Sequence, residues 1–110
     1  MPPALDPQIK QLTDSIVAGY QPEKIILFGS RAAGNSNPDS DIDLLIIKDT
    51  PDSYWNRIKS LAPLLPLLPS VDVFVATPQE YNQAISDNRF FLTQEILPKS
   101  IILYDKSAAS

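Results

Sequence analysis

The chain has 110 residues and contains neither histidine nor cysteine. A Ser-His-Asp triad, a thiol nucleophile, a disulfide framework and the usual zinc sites are thereby excluded. The length predicts a single domain over residues 1–110. The net charge of −4 argues against unaided binding of nucleic acid, so any phosphate that the protein handles should be neutralised by a metal ion.

The N-terminal residues carry no targeting pattern. Met1 to Pro7 lack the basic start and the apolar run of a signal peptide. No apolar stretch approaches the roughly 20 residues that a membrane span needs. We therefore expect a cytoplasmic protein with no membrane partner.

The first part of the chain pairs a helical pattern with a strand pattern. Asp6 followed by Pro7 is typical of a helix start, and apolar residues at helical spacing predict a helix to about Ala18. The nearly continuous apolar run from Lys24 to Phe28 predicts a strand covered on both faces, which ends at Gly29. Sheet and helix are thus both expected within the first thirty residues or so.

The next segment predicts a helical turn, a loop and a second strand. Ser30 to Gly34 has the pattern of one helical turn, and Asp41 to Ile47 that of a strand. Between them, Asn35 to Ser40 is dense in turn-forming residues and predicts an exposed loop, in which Asp39 is a turn former rather than a ligand.

The second half continues the alternation. In chain order its predicted elements are a helix over Tyr54–Ala62 ended by Pro63, an irregular connection over Pro63–Pro69, a strand over Val71–Ala76, a helix begun by Pro78 and capped by Thr77, a helical continuation over Arg89–Leu97 and a last strand over Ser100–Tyr104. This order predicts a mixed α/β (α+β) fold in which helices pack against a mixed sheet.

Two aspartates stand two residues apart in the second predicted strand. Because side chains alternate along a strand, Asp41 and Asp43 point to one side with their Cα atoms about 6.5–7 Å apart, while Ile42 and Leu44 take the opposite face. Both carboxylates can then converge on one site, and such oxygen ligands suit Mg²⁺. Taken alone, the pair is equally well explained as solvated charges at a strand end.

Asp72 is a charged residue in an otherwise apolar strand. Burial of an unpaired carboxylate costs several kcal/mol, which implies either a nearby cation or an exposed position at the strand end or sheet edge. If its strand adjoins the strand of Asp41 and Asp43, three carboxylates surround one or two metal ions.

Gly29 and Ser30 lie between a strand and a helical turn. Free backbone N–H groups at such a position can hold phosphate oxygens, and glycine permits close approach of a ligand. Beside a carboxylate site for divalent metal, this predicts binding of a nucleoside triphosphate with Mg²⁺. Taken alone, Gly29 and Ser30 are better explained as an ordinary strand-ending turn. Arg31 is most simply a solvated helix residue, and a phosphate contact is its second interpretation.

A P-loop is the second phosphate-binding motif that the sequence partly matches. Gly29, four residues and then Gly34, Asn35 and Ser36 nearly match its pattern. Asn35 replaces the essential lysine, however, and the chain is short for a nucleotide-hydrolysing domain. These two departures argue against a P-loop.

The ordered set of motifs resembles a known superfamily. Gly29-Ser30-Arg31-Ala32-Ala33-Gly34, then Asp39-Ser40-Asp41-Ile42-Asp43, then Asp72 is similar to the minimal nucleotidyltransferases of the DNA polymerase β-like superfamily, and the resemblance spans nearly the whole chain. The nearest resemblance is to the MNT antitoxins of HEPN–MNT toxin–antitoxin pairs. In that group the glycine-serine run often ends Arg-Ala-Arg-Gly, whereas Ala33 stands here at the second arginine.

The resemblance implies a polymerase β-like core, a reaction and a partner. The reaction is transfer of AMP from ATP to a tyrosine of a HEPN-type ribonuclease toxin, which makes the chain the antitoxin of a type VII pair and a hetero-oligomer with its toxin. Asp41 and Asp43 would hold two Mg²⁺ ions, and Asp72 would ligate the second ion and help to activate the acceptor hydroxyl. Gly29 and Ser30 would hold the β and γ phosphates, with Arg31 beside them.

A binding module is the alternative. The chain would then neutralise its toxin by occlusion alone, with a vestigial metal site. The small size, the lost arginine at Ala33 and the leucines of Pro63–Pro69 motivate this hypothesis, although core packing is the preferred explanation of those leucines. A polynucleotide substrate is disfavoured because an acidic chain of this size offers no basic channel for a primer.

Overall fold

Helices and strands alternate along the protein, whose structure is a computed structural model that describes residues 6–33, 41–66, 70–88 and 97–109. The elements in these ranges are α1 Pro7–Tyr20, β1 Lys24–Phe28, α2 Ser30–Ala33, β2 Ile42–Ile47, α3 Tyr54–Leu61, a 3₁₀ turn Ala62–Leu64, β3 Val71–Ala76, α4 Pro78–Ser86, a 3₁₀ turn Leu97–Lys99, β4 Ile101–Asp105 and α5 Lys106–Ala109.

The three longer helices begin at side-chain caps that the local sequence supplies. The Asp6 carboxylate accepts a hydrogen bond from the backbone N–H of Gln8 at 2.9 Å, and Ser53 caps α3 in the same way. Thr77 and Glu80 form a reciprocal capping box at the start of α4. Each cap contributes about 1 kcal/mol because it satisfies a backbone N–H group that has no partner within the helix.

The four described strands form one mixed sheet in the order β3-β2-β1-β4. β1 is antiparallel to both β2 and β4, whereas β2 and β3 are parallel. A parallel pair needs a crossover connection, and α3 lies in the segment that joins β2 to β3. The register places Phe28 opposite Asp43 and places Asp43 opposite Asp72. The fold is therefore α+β, as the sequence predicts.

Each face of the sheet carries its own hydrophobic cluster. On one face, α1 and α3 pack against the alternate strand residues that include Ile42, Leu44 and Ile46. On the other face, side chains of α4 pack against the intervening residues, which include Leu45 and Ile47. Strands buried on both faces explain the near-continuous apolar runs of β1 and β2.

A buried arginine ties α3 to β3 and α4. The guanidinium of Arg57 donates to both carboxylate oxygens of Glu80, at 2.8 and 3.2 Å, and also to the backbone carbonyls of Asp52 and Val75. The hydrogen bonds from Arg57 are the main reason why the pKa of Glu80 lies below its usual value, and those to Glu80 likewise raise the pKa of Arg57. These hydrogen bonds hold the crossover helix α3 against β3 and α4.

Most predicted elements are confirmed, with shifts at their ends. α1 continues to Tyr20 instead of ending near Ala18, and β2 begins at Ile42, so Asp41 lies just before the strand and not within it. The helix from Tyr54 ends at Leu61, and the chain then tightens into a 3₁₀ turn through Pro63, which accommodates proline at its first positions. β4 begins at Ile101, and α5 was not among the predicted elements.

Some predictions fall wholly or partly outside the described residues. These are the exposed loop over Asn35–Ser40 and most of the helical continuation over Arg89–Leu97. Within the described part of Pro63–Pro69, Leu64 and Leu65 pack against the core cluster of α1 and α3, as the core-packing interpretation predicts. None of the helices in the described ranges has the length and apolar character needed to cross a membrane.

Candidate active site

The three predicted aspartates lie at one end of the sheet. Asp43 is the second residue of β2, Asp72 is the second residue of β3, and the parallel register pairs them directly. Asp41 immediately precedes β2. The crossover through α3 thus brings together carboxylates that are far apart in sequence.

The strand alternation places these acids on the face opposite α1 and α3. Ile42 and Leu44 are fully buried against those helices, whereas Asp43 is half-buried on the other face. Asp72 and Asp41 are exposed. The exposed setting allows three negative charges to stand near one another without the full cost of desolvation.

The surroundings of Asp43 shift the pKa of its carboxyl group. Its burial raises the pKa of the Asp43 carboxyl, the negative charges of Asp72 and Asp41 raise it further, and a hydrogen bond with the Asp72 side chain acts in the same direction. All these causes disfavour the ionised form of Asp43. A cation beside the group would reverse the balance, because an opposite charge favours the carboxylate.

The end of β1 lies directly against the Asp43 carboxyl. Gly29 follows Phe28, which is opposite Asp43 in the sheet, and adopts a φ of +79°. Glycine is favoured here by the backbone conformation, and a Cβ atom at Gly29 would overlap the Oδ2 atom of Asp43 and force that carboxylate to move. The turn of Gly29 and Ser30 is therefore adjacent to the paired acids.

The three aspartates lie near one another, but their side chains do not converge on a single metal position. As the side chains stand, no group of three or more acidic residues among the described ranges is arranged to hold a metal ion. Two of the acids are positioned by the strand register, and Asp41 belongs to the segment before the strand. The negative charges of Asp72 and Asp41, which raise the pKa of Asp43, would be offset by a cation at this end of the sheet.

Arg31 differs from the simplest sequence interpretation, which was a solvated side chain. It is only 5% exposed, and its guanidinium donates to Asp6 at 3.4 Å and to Gln8 at 3.2 Å. Both partners lie at the start of α1. Sequence spacing gave no signal for this contact, because Asp6 was recognised only as a helix cap.

A separate groove of about 410 Å³ lies beside α1. Its wall includes Gln8, Gln11 and Leu12 of α1, together with Ile42 and Leu64. Its described lining residues include none of the three aspartates, so it does not mark the carboxylate site.

Comparison with known proteins identifies the family. The profile of the family described as Polymerase beta, Nucleotidyltransferase matches residues 10–109. The chain therefore belongs to the polymerase β nucleotidyltransferase family. A search of curated proteins found no match.

Two solved structures share the fold. A candidate nucleotidyltransferase from Sulfolobus solfataricus aligns with a TM-score of 0.62 and 18% identity, over 96% of this chain and 89% of that chain. A chain in the crystal structure of a toxin–antitoxin complex with AMP-PNP aligns with a TM-score of 0.54 and 23% identity, over 91% of this chain and 75% of that chain. These alignments confirm the minimal nucleotidyltransferase fold predicted from the motifs.

Proposed function

We propose that the protein transfers AMP from ATP to a hydroxyl group of a partner protein, a tyrosine of a HEPN-type ribonuclease toxin, and thereby acts as its antitoxin. The observation that carries the proposal is the direct pairing of Asp43 with Asp72 beside the turn of Gly29 and Ser30. Membership of the nucleotidyltransferase family supports the reaction class. The likeness to a chain in a toxin–antitoxin complex with AMP-PNP supports the nucleotide and the type of partner.

In this proposal the acids and the adjacent turn both bind the triphosphate of one ligand. Asp41 and Asp43 hold Mg²⁺ with the triphosphate, Asp72 ligates a second Mg²⁺, and backbone N–H groups at Gly29 and Ser30 take the β and γ phosphates. When bound, divalent metal neutralises the triphosphate and stabilises the charge that develops during transfer. Rotation of the exposed Asp41 side chain would complete the ligand set.

The transfer step follows from the chemistry of a phosphoanhydride. The acceptor oxygen forms a bond to the α-phosphorus of ATP, the bond from that phosphorus to the bridging oxygen breaks, and pyrophosphate leaves in line. The hydroxyl proton passes to the Asp72 carboxylate and from there to solvent. The exposure of Asp72 suits that role, because a carboxylate open to solvent can release the proton again.

The proposal gives Arg31 no phosphate contact, although the resemblance places Arg31 beside the phosphates. Its guanidinium is engaged by Asp6 and Gln8 at the start of α1. We therefore assign phosphate contact to Gly29 and Ser30 alone.

The direct test is label transfer. The protein is incubated with ATP labelled at the α-phosphate, Mg²⁺ and the small helical protein with an Arg-x-x-x-x-His motif that the adjacent reading frame is expected to encode. We expect label on that protein, and we expect at least a hundredfold less with the Asp41→Asn/Asp43→Asn double variant. Asp49→Asn is the matched control, because Asp49 is exposed and follows the opposite end of β2.

Occlusion without chemistry remains the competing function, favoured by the lack of a closed three-acid cluster among the described residues. The triple Asn variant at Asp41, Asp43 and Asp72 separates the two. Loss of protection in cells, with complex formation retained, supports catalysis. Full protection by the triple variant would establish occlusion and overturn the transferase proposal.

A further inference from the structure

One carboxylate at the start of α1 makes two kinds of contact. The Oδ1 atom of Asp6 accepts from the backbone N–H of Gln8 and caps the helix, while Oδ2 lies 3.4 Å from Nη2 of Arg31. Gln8 Oε1 accepts a further hydrogen bond from the same guanidinium nitrogen at 3.2 Å. The first turn of α1 is thus joined to a residue in α2.

The Arg31 side of the contact is well shielded from water. The Arg31 side chain is 4% exposed and the Asp6 side chain 32% exposed. A buried guanidinium requires partners, since an uncompensated charge in the interior is strongly destabilising. By contrast, the Lys10–Asp14 ion pair on α1 has both side chains about two-thirds exposed. An ion pair of that exposed kind contributes little.

The position of Arg31 gives the contact its importance. Arg31 is the second residue of α2, a helix of one turn that directly follows Gly29. The backbone N–H of Ala32 donates to the carbonyl of Gly29 at 3.2 Å, so α2 and the glycine turn form one local unit. A helix this short has no independent stability, and contacts to the rest of the molecule must hold it in place.

We propose that Arg31 is a positioning residue: through Asp6 and Gln8 it anchors α2 to α1 and thereby holds the turn of Gly29 and Ser30 in the conformation that receives the nucleotide phosphates. The effect of this contact on nucleotide binding rests on the proposed function. The anchor itself is a property of the fold. If the anchor is lost, the turn samples other conformations, and the apparent affinity for nucleotide falls by the fraction of molecules in the competent state.

The test uses variants that separate the anchor from the helix cap. Asp6→Ser retains a good N-cap for α1 but removes the carboxylate that faces Arg31. Arg31→Met removes the guanidinium, and Arg31→Lys restores a positive charge without its planar geometry. Lys10→Met is the matched control, because it breaks the exposed ion pair on the same helix.

The first measurement follows the backbone. Amide hydrogen exchange over residues 29–33 should accelerate at least tenfold in Asp6→Ser and Arg31→Met, and remain at the wild-type rate in Lys10→Met. Exchange in β2 should stay slow in every variant, which distinguishes a local release from general loss of structure.

The second measurement is calorimetric titration with AMP-PNP and Mg²⁺, and, where transfer is detected, the kinetics with ATP. We expect Kd and KM to rise about tenfold in Asp6→Ser and Arg31→Met with kcat changed less than threefold, and Arg31→Lys to recover part of the loss. Two independent contacts would give additive losses, whereas one shared anchor predicts that the Asp6→Ser/Arg31→Met double variant is no worse than Arg31→Met.

The outcomes distinguish the two proposals. Unchanged exchange and unchanged Kd in Asp6→Ser and Arg31→Met would overturn the anchor, whatever the wild type transfers. A wild-type protein that binds no ATP with Mg²⁺ would overturn the proposed function, and amide exchange over residues 29–33 would then decide the anchor alone.

Discussion

Asp43 and Asp72 face each other in direct register across the parallel strands β2 and β3, each as the second residue of its strand. The burial of Asp43 and the negative charges of Asp72 and Asp41 all raise the pKa of the Asp43 carboxyl. These effects disfavour the ionised form of Asp43, and a cation beside the group would offset them.

The raised pKa predicts that Asp43 lowers stability at neutral pH. A carboxyl whose pKa is higher in the folded state contributes stability when protonated, and that contribution is lost as pH rises from the ordinary value of about 4 through the raised value. We expect Asp43→Asn to melt a few degrees higher than the wild type at pH 8, with the difference vanishing below about pH 4.

Thermal unfolding at both pH values, with and without Mg²⁺, provides the measurement. The wild type should gain stability on addition of Mg²⁺ at pH 8, and the Asn variant should gain much less, because ligand binding stabilises only the form that binds. A lower melting temperature for Asp43→Asn at pH 8 would contradict the like-charge explanation.

Gly29→Ala should strain the backbone and displace the Asp43 carboxylate. A side chain at a φ of +79° is strained by about 1–2 kcal/mol, and its Cβ would also overlap the Asp43 carboxyl. We expect a loss of about 2 kcal/mol in the free energy of unfolding and no detectable Mg²⁺-dependent stabilisation. Urea unfolding with and without Mg²⁺ measures both effects.

Gly19→Ala is the natural control for that substitution. Gly19 lies within α1, and a Cβ there would come within 2.6 Å of Cδ2 of the Leu64 side chain, which can shift. Alanine also gains up to about 1 kcal/mol in helix propensity over glycine. We expect near-wild-type stability and unchanged response to Mg²⁺. Equal damage from both alanine variants would show that the Gly29 effect is not specific to the site.

Substitution of either partner of the Arg57–Glu80 ion pair should lower stability, by a larger amount for Glu80 than for Arg57. The Arg57 side chain is 8% exposed and the Glu80 side chain 53% exposed. Glu80→Ala leaves a buried guanidinium without its countercharge and should cost about 3 kcal/mol. Arg57→Met leaves an exposed carboxylate, which water solvates, and should cost about 1–2 kcal/mol for the lost hydrogen bonds.

Acid unfolding reports the same pair. The pKa of Glu80 is lowered mainly by its hydrogen bonds from Arg57, so its contribution to stability is present above its unfolded-state value of 4.5 and is lost as pH falls through the lowered value. We expect the stability of Arg57→Met to fall less steeply below pH 4.5 than that of the wild type. Parallel acid profiles for the two proteins would contradict this assignment.

Tyr20→Phe should be neutral or stabilising. Among the described residues, the Tyr20 hydroxyl is the buried side-chain polar atom that has no hydrogen-bond partner, and burial raises the pKa of the phenol. Phenylalanine removes the unsatisfied group and keeps the ring that lies 4.7 Å from the Lys48 ammonium. We expect a gain of up to about 1 kcal/mol in the free energy of unfolding.

The exposed Tyr54 provides the comparison, because its hydroxyl can bond to water whether or not the protein is folded. Tyr54→Phe should leave the midpoint of urea unfolding unchanged. A loss of stability in Tyr20→Phe alone would mean that the Tyr20 hydroxyl has a partner such as an internal water molecule.

Local chemistry made much of the architecture predictable. The Asp6 and Thr77 caps, the uninterrupted apolar strands and the prolines that limit the helices act over only a few residues, so their effects can be inferred without knowledge of the fold. Shifts at element ends arose where local rules compete, as at Pro63, where the chain follows a 3₁₀ turn after the α-helix. The three aspartates and the glycine-serine turn were also selected from their spacing; their role in a site stays a prediction, and the structure places them at one end of the sheet.

By itself, the sequence determined the types of element, the faces of each strand and the set of residues available for chemistry, because side-chain periodicity and capping are local properties. Only the tertiary structure decided that β2 lies beside β3 in parallel, that Asp43 is therefore opposite Asp72, and that Arg31 turns inward to Asp6. A period of two assigns a side chain to a face of the sheet but cannot choose the neighbouring strand. That choice depends on non-local packing around the α3 crossover.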